Sequence, residues 1–274
     1  MLFIRQKKIN PRLKQVLIIV LSLYIMLGTS LYLLQEKILF LPTILAQDYQ
    51  FKFSHTFEEL FLKTEDNVEI NALHFKVENP KGIILYFHGN AGDLSRWGTV
   101  AEYFVDRNYD VLIMDYRTYG KSTGKLSEQA LYNDAQVCYN YLKNNYQENE
   151  IIVYGRSLGT GIATHVAENN NPKQLILETP YYSMADIAHS RFPYFPTKYL
   201  LKYKFPTHRF IKDVSCPISM VHGTDDSIIS IESAKKLYKV APQGKTTFTE
   251  IKKGNHNDLI AFETFHSLMN TLLP

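Results

Sequence analysis

The sequence has 274 residues, with 30 basic and 27 acidic side chains and a formal net charge of +3. Five of the basic residues, Arg5, Lys7, Lys8, Arg12 and Lys14, precede the first long apolar run. Without them 25 basic groups oppose 27 acidic ones, about −2, which excludes a basic nucleic-acid binder.

That run, Val16 to Leu34 (VLIIVLSLYIMLGTSLYLL), is uncharged and has no polar stripe. A bilayer takes about 20 residues of helix, so the run is long enough to cross one. It exceeds a usual signal-peptide core, and Gln35-Glu36-Lys37 follow it without a small-residue cleavage site, so the expectation is an uncleaved anchor. The basic flank, residues 1–15, should remain in the cytoplasm and send the rest of the chain to the other side. Residues 35–55 read as a connector that keeps the following domain near the membrane, and residues 56–274 suit one α/β domain. We find no repeat or low-complexity tract. Cys138 and Cys216 stand in no metal-ligand spacing and read either as two small buried hydrophobes or as one disulfide.

Within the domain, Thr56 to Lys63 and Val68 to Val77 alternate as two strands of an antiparallel hairpin. Ile83 to Phe87 is a continuous apolar strand ending in His88-Gly89-Asn90-Ala91-Gly92, and Asp93 or Ser95 caps a helix reaching about Arg107. Val111 to Met114 is the next strand, followed by a Gly-rich turn through Gly124 and by a helix from Ser127 to about Asn144. Further strands are expected at Ile151 to Tyr154, Lys173 to Leu177, Pro217 to Val221 and Thr246 to Ile251, with helices at Ile162 to Glu168, Ile231 to Val240 and from about Leu259. This alternation predicts a mostly parallel sheet covered by helices on both faces. Between 179 and 213 the pattern fails. Four prolines interrupt a stretch rich in tyrosine and phenylalanine, which would form a small lid insertion.

Gly155-Arg156-Ser157-Leu158-Gly159 lies between a strand and a helix, the context of a nucleophile elbow. A Cβ at Gly155 or Gly159 would collide with the neighbouring strand or with the helix turning back under the serine, and Ser157 itself should be strained. A serine hydroxyl needs a general base, and the base needs a carboxylate to orient it. Chain order in this architecture is Ser, acid, His. His256, after the last strand, is the expected base; the acid comes from His222-Gly223-Thr224-Asp225-Asp226, where the two aspartates compete. His88 and His222 also end strands, but each precedes a glycine and should hydrogen-bond within its own turn. The oxyanion hole requires two backbone N–H groups, one from Leu158 and the other from Asn90, with Ala91 as the alternative.

HGNAGD, DYRTYGKSTG, GRSLGTG, HGTDD and GNHND, in this order, resemble the α/β-hydrolase superfamily, from about residue 56 to the end. The closer likeness is to its small, N-terminally membrane-anchored members, which include protein depalmitoylases, and to the serine aminopeptidase-like branch. The resemblance implies an α/β-hydrolase fold and hydrolysis of a carboxylic ester or thioester through an acyl-serine, with no metal or cofactor. Its expected partners are a small-molecule or acylated substrate and a lipid bilayer, not nucleic acid. It puts the triad acid four residues after His222, at Asp226, and departs from the family pattern at Thr118, where glycine is usual. Two other readings compete: a serine peptidase of aminopeptidase type, for which Glu178 is the only obvious acidic subsite, and a non-catalytic binding protein on the same fold. Intact Ser157, Asp226 and His256 argue against the second. Dehalogenase chemistry is disfavoured because it needs an aspartate at the elbow.

Overall fold

The computed structural model describes residues 10–274. Arg5, Lys7 and Lys8 of the basic flank lie outside the described residues. Helix α1 spans Pro11–Leu39, opened by the Asn10 side chain accepting from the Arg12 N–H and by proline at the first helical position. Its apolar side chains are exposed, and it is the one helix among the described residues long and apolar enough to cross a membrane. The connector expected from Gln35 begins later than that. Gln35 to Leu39 continue the helix, since none of them breaks it and Gln35 and Glu36 find partners in the folded domain.

After α1 the chain does not hang free. Strand β1 (Leu41–Pro42) pairs in parallel with a two-residue strand farther along, and Ile44 bridges to Gly120. Strands β2 (Phe57–Lys63) and β3 (Glu69–Phe75) form the antiparallel hairpin. Then come β4 (Ile83–Phe87), β5 (Ala91–Gly92, the partner of β1), α2 (Leu94–Val105), β6 (Asp110–Met114), α3 (Glu128–Lys143), β7 (Ile151–Arg156), α4 (Leu158–Glu168) and β8 (Gln174–Glu178). The excursion expected as a lid carries α5 (Met184–Arg191), α6 (Thr197–Leu200) and α7 (Thr207–Phe210). The chain ends with β9 (Ile218–Gly223), α8 (Ile231–Val240), β10 (Thr246–Ile251) and α9 (Glu263–Leu272).

The main sheet has eight strands in the order β10-β9-β8-β7-β4-β6-β3-β2. Every neighbouring pair from β10 to β6 is parallel, and only β3 runs against the rest. Two apolar cores flank it. One joins the sheet to α3 and α4 and the other joins it to α2 and α9. This explains why β4, β6 and β7 are apolar on both faces; each large side chain buried contributes about 1.5–3 kcal/mol. Cys138 and Cys216 are both free and buried, so the hydrophobe alternative holds. Thr118 has φ 70°, so the position where glycine is usual keeps a left-handed backbone with a β-branched residue in it.

Strand order reverses at β4, whose neighbours β6 and β7 follow it in sequence on opposite sides. Open α/β sheets leave a crevice at the carboxyl ends of such strands. The loops after β4 and β7 meet there.

Candidate active site

Ser157 ends the turn from β7 into α4 with φ 52° and ψ −118°, a strained conformation for a residue with a Cβ. The flanking glycines make it possible. A Cβ on Gly155 would lie 2.6 Å from the Gly159 carbonyl and 2.7 Å from the Ala163 Cβ; one on Gly159 would lie 2.1 Å from the Phe87 carbonyl of β4. Helix and strand approach too closely there for any side chain.

His256 and Asp226 arrive from the loops after β10 and β9, which are adjacent strands. The His256 Nε2 is 2.9 Å from the Ser157 Oγ, and its Nδ1 is 2.7 Å from the Asp226 Oδ2. The two loops are laced together: Thr224 N–H donates to the Ile251 carbonyl, Asp225 N–H to that of Gly254, and Ser227 N–H to the Asn255 side chain. The Asp226 Oδ1 accepts the N–H groups of Ile228 and Ile229, each at 2.8 Å. Burial raises the Asp226 pKa, but hydrogen bonds from His222 and His256, the charge of His256 and the Ile229 N–H outweigh it and hold the carboxyl well below the usual range. Asp225 is exposed and, among the described residues, its carboxylate accepts only from the Thr224 hydroxyl. Of the two aspartates, the structure brings Asp226 to the imidazole.

His222 does something its sequence position did not disclose. It bonds within its own loop, as expected, but fully buried and beside the carboxylate that faces His256, with Nε2 2.9 Å from the Ile229 carbonyl and 3.2 Å from the Asp226 Oδ2. Both neighbours are acceptors, so the proton belongs on Nε2. His88 bonds within its turn, its Nδ1 2.6 Å from the Gly89 carbonyl, while its Nε2 stands 3.4 Å from the buried Asp115 Oδ1. Glu178, the candidate acidic subsite, ends β8, buried, with Arg156 Nε at 3.2 Å and the Tyr154 hydroxyl donating at 2.6 Å.

Asn90, Ser157 and Leu158 all line the same crevice. Leu158 opens α4, so its N–H has no intrahelical acceptor and sits at the positive end of the helix dipole. The Asn90 side chain donates to the Leu39 carbonyl at the end of α1, and its own carbonyl accepts from the Leu41 N–H and the Tyr119 hydroxyl. The connector therefore braces this loop. The side chain acts as a brace, leaving the backbone N–H of Asn90 as the group that the sequence reading nominated.

Above the serine is a cavity of about 410 Å³, mostly apolar. The aromatic excursion divides in three around it. Tyr181, Tyr203 and Phe205 are core residues, Phe192 and Phe195 line the cavity, and Tyr194 and Tyr199 are exposed at 86% and 82%. The opposite wall comes from α1, through Leu31, Tyr32, Gln35 and Ile38. Sequence reasoning missed this wall because an uncharged run with no polar stripe carries the signal of a span and nothing about a second neighbour.

Comparison with known proteins agrees with this geometry. The family described as "Serine aminopeptidase, S33" matches residues 78–210. The chain is 29% identical to the "Lysophosphatidylserine lipase ABHD12" of Macaca fascicularis over 96% of this chain and 76% of the relative. It is 30% identical to "Protein bem46" of Schizosaccharomyces pombe over 76% of this chain and 73% of that protein. Among solved structures, a Pyrococcus furiosus esterase superposes with a TM-score of 0.67 at 18% identity, covering 86% of this chain and 96% of that one. With relatives aligned along most of their length, this fold and this crevice, the chain belongs to the α/β-hydrolase superfamily and is a serine ester hydrolase.

Proposed function

We propose that Ser157 is the nucleophile, His256 the general base and Asp226 its orienting acid, and that the enzyme hydrolyses the ester of a single-chain lipid at a membrane. The observation that carries this reading is the unbroken chain from Ser157 Oγ through His256 to Asp226, at 2.9 and 2.7 Å, on the floor of an apolar cavity. Ser157 Oγ attacks the ester carbonyl while His256 Nε2 takes its proton, and the oxyanion accepts from the Asn90 and Leu158 N–H groups. Collapse breaks the ester C–O bond, and the leaving alcohol takes that proton from His256. Water, deprotonated by His256 in turn, attacks the acyl-serine; the bond to Ser157 Oγ breaks, Oγ takes the proton back from His256, and the free acid leaves. A thioester follows the same course with a thiol leaving group. Lipase relatives favour a lipid ester, and the Glu178 carboxylate, committed to Arg156 and Tyr154, is not free to bind a peptide's amino terminus. The test is purified full-length protein assayed on matched ester, thioester and aminopeptidase substrates. Aminopeptidase turnover exceeding ester turnover would overturn it.

The excursion acts as a lid, and its Phe192 and Phe195 favour apolar acyl groups. Each methylene buried is worth about 0.8 kcal/mol, or about fourfold in kcat/KM, until the cavity is filled. Turnover is therefore expected to rise from acetyl through octanoyl esters in a chain-length series, and a strict preference for acetyl would defeat the idea.

For topology, the basic flank, of which Arg12 and Lys14 stand at the start of α1, is expected to stay cytoplasmic, with the hydrolase domain across the membrane. Protease added to intact cells or spheroplasts should digest the domain. Protection until lysis would reverse the orientation.

A further inference from the structure

Helix α1 meets the excursion along much of its length. The Tyr24 hydroxyl donates to the Tyr194 carbonyl at 2.8 Å, and its ring stacks on Phe195 with centroids 4.7 Å apart. Gly28 lets the Phe195 ring approach, since a Cβ there would already stand 3.3 Å from it. Near the other end, the Gln35 side chain donates to the Leu200 carbonyl and accepts the Lys202 N–H at 2.7 Å. From Tyr24 to Gln35 the contact covers about 16 Å of helix axis, at about 1.5 Å per residue.

This contact conflicts with α1 being a tether alone. A span needs about 20 residues, and the uncharged stretch runs only from Gln15 to Gln35, where charges resume on either side. If the excursion stayed outside the hydrocarbon, Tyr24 would have to stay outside as well, leaving too little helix to cross. So when α1 spans, Phe195 and the exposed Tyr194 lie within the bilayer. Lys202, 5.0 Å from the Tyr32 ring centroid and 4.0 Å from Glu36, stands beside the first charge that follows the apolar run of α1, and the exposed Lys198 of α6 reaches toward that level along its aliphatic stem. Asn90 is joined to Leu39 just beyond that level, and the cavity runs from Ser157 down between α1 and the excursion, past Ile38 and Leu31 to Phe195. A membrane-resident lipid has the same layout, with its ester at the headgroup boundary and its tail below.

We propose that α1 forms one wall of an acyl channel open to the bilayer, so that the single-chain ester lipid of the proposed function enters sideways from the membrane, its carbonyl at Ser157 and its tail between Leu31 and Phe195. This rests on Ser157 being the nucleophile. A cavity of about 410 Å³ suits one such chain.

Two experiments on full-length protein in phosphatidylcholine vesicles test it. In the first, Leu31→Trp and Ile38→Trp fill the channel from the α1 side, and Ile19→Trp adds the same bulk to an exposed face of the same helix. Leu31→Trp and Ile38→Trp are expected to lower the ratio of oleoyl to butyryl ester turnover at least tenfold, and Ile19→Trp to leave that ratio as it is. The same ratio in all three variants and wild type would overturn the proposal. In the second, a lysophospholipid with a diazirine at its chain end is photolysed in vesicles containing Ser157→Ala. Crosslinks in residues 31–39 and 184–201 support the channel, and crosslinks confined to residues 16–25 overturn it. Failure of the underlying reading looks different: wild type would then hydrolyse no ester of any length, or would do so without fluorophosphonate labelling of Ser157.

Discussion

Ser157→Ala is expected to abolish fluorophosphonate labelling and to lower ester turnover by about 10⁶, the scale at which loss of the nucleophile has been measured in a serine protease. The residual rate is expected from substrate binding and from the proposed oxyanion donors, the Asn90 and Leu158 N–H groups, which the substitution leaves in position. The fold should survive, because the Ser157 Oγ makes its one described hydrogen bond to His256, and losing it costs about 1 kcal/mol, a shift of about 2–4 °C in Tm for a domain of this size. Labelling, turnover and thermal unfolding measured on one preparation separate lost chemistry from lost structure. Near wild-type turnover in the variant would remove the acyl-serine mechanism.

Asp226→Asn should cost about 10⁴ in kcat, because an amide facing His256 Nδ1 leaves the imidazole in the wrong tautomer, an effect of that size in a well-studied triad. Its position should hold, since the amide oxygen can still accept the Ile228 and Ile229 N–H groups. Asp225→Asn should change turnover less than threefold, since the Asp225 carboxylate is exposed and contacts no triad member. His222 supports the same contrast: its Nε2–H reaches the Asp226 Oδ2 and leaves Asp225 untouched. If the two losses ranked in reverse order with both variants folded, the acid would be Asp225; if neither mattered, Glu178 would become the leading acid.

The parts of this protein legible from sequence are those set by short-range rules. Strand and helix followed from hydrophobic period, so β4 and β10 have the bounds read from sequence, the helix expected from Ser127 begins there, and of the two candidate caps Asp93 and Ser95 it is Asp93 that caps α2. The elbow was legible because steric exclusion at Gly155 and Gly159 acts over a few residues. The order of Ser157, acid and His256 followed from the chain's course across a parallel sheet. Tertiary structure decided what depends on residues far apart in sequence. Asp225 and Asp226 are chemically equal neighbours, and only the lacing of the β9 and β10 loops turns one of them toward His256. His222 bonds within its own loop, as read, and only the folded loop shows that its partner there is the carboxylate facing His256. The aromatic stretch from 179 to 213 has one composition but three destinations, since burial is set by what packs against each ring. The α1 wall of the cavity joins residues more than 150 positions apart in sequence, Tyr24 with Phe195 and Gln35 with Leu200. No periodicity encodes such a contact; it exists because the connector ties Leu39 and Leu41 to Asn90 and thereby fixes where the helix must stand.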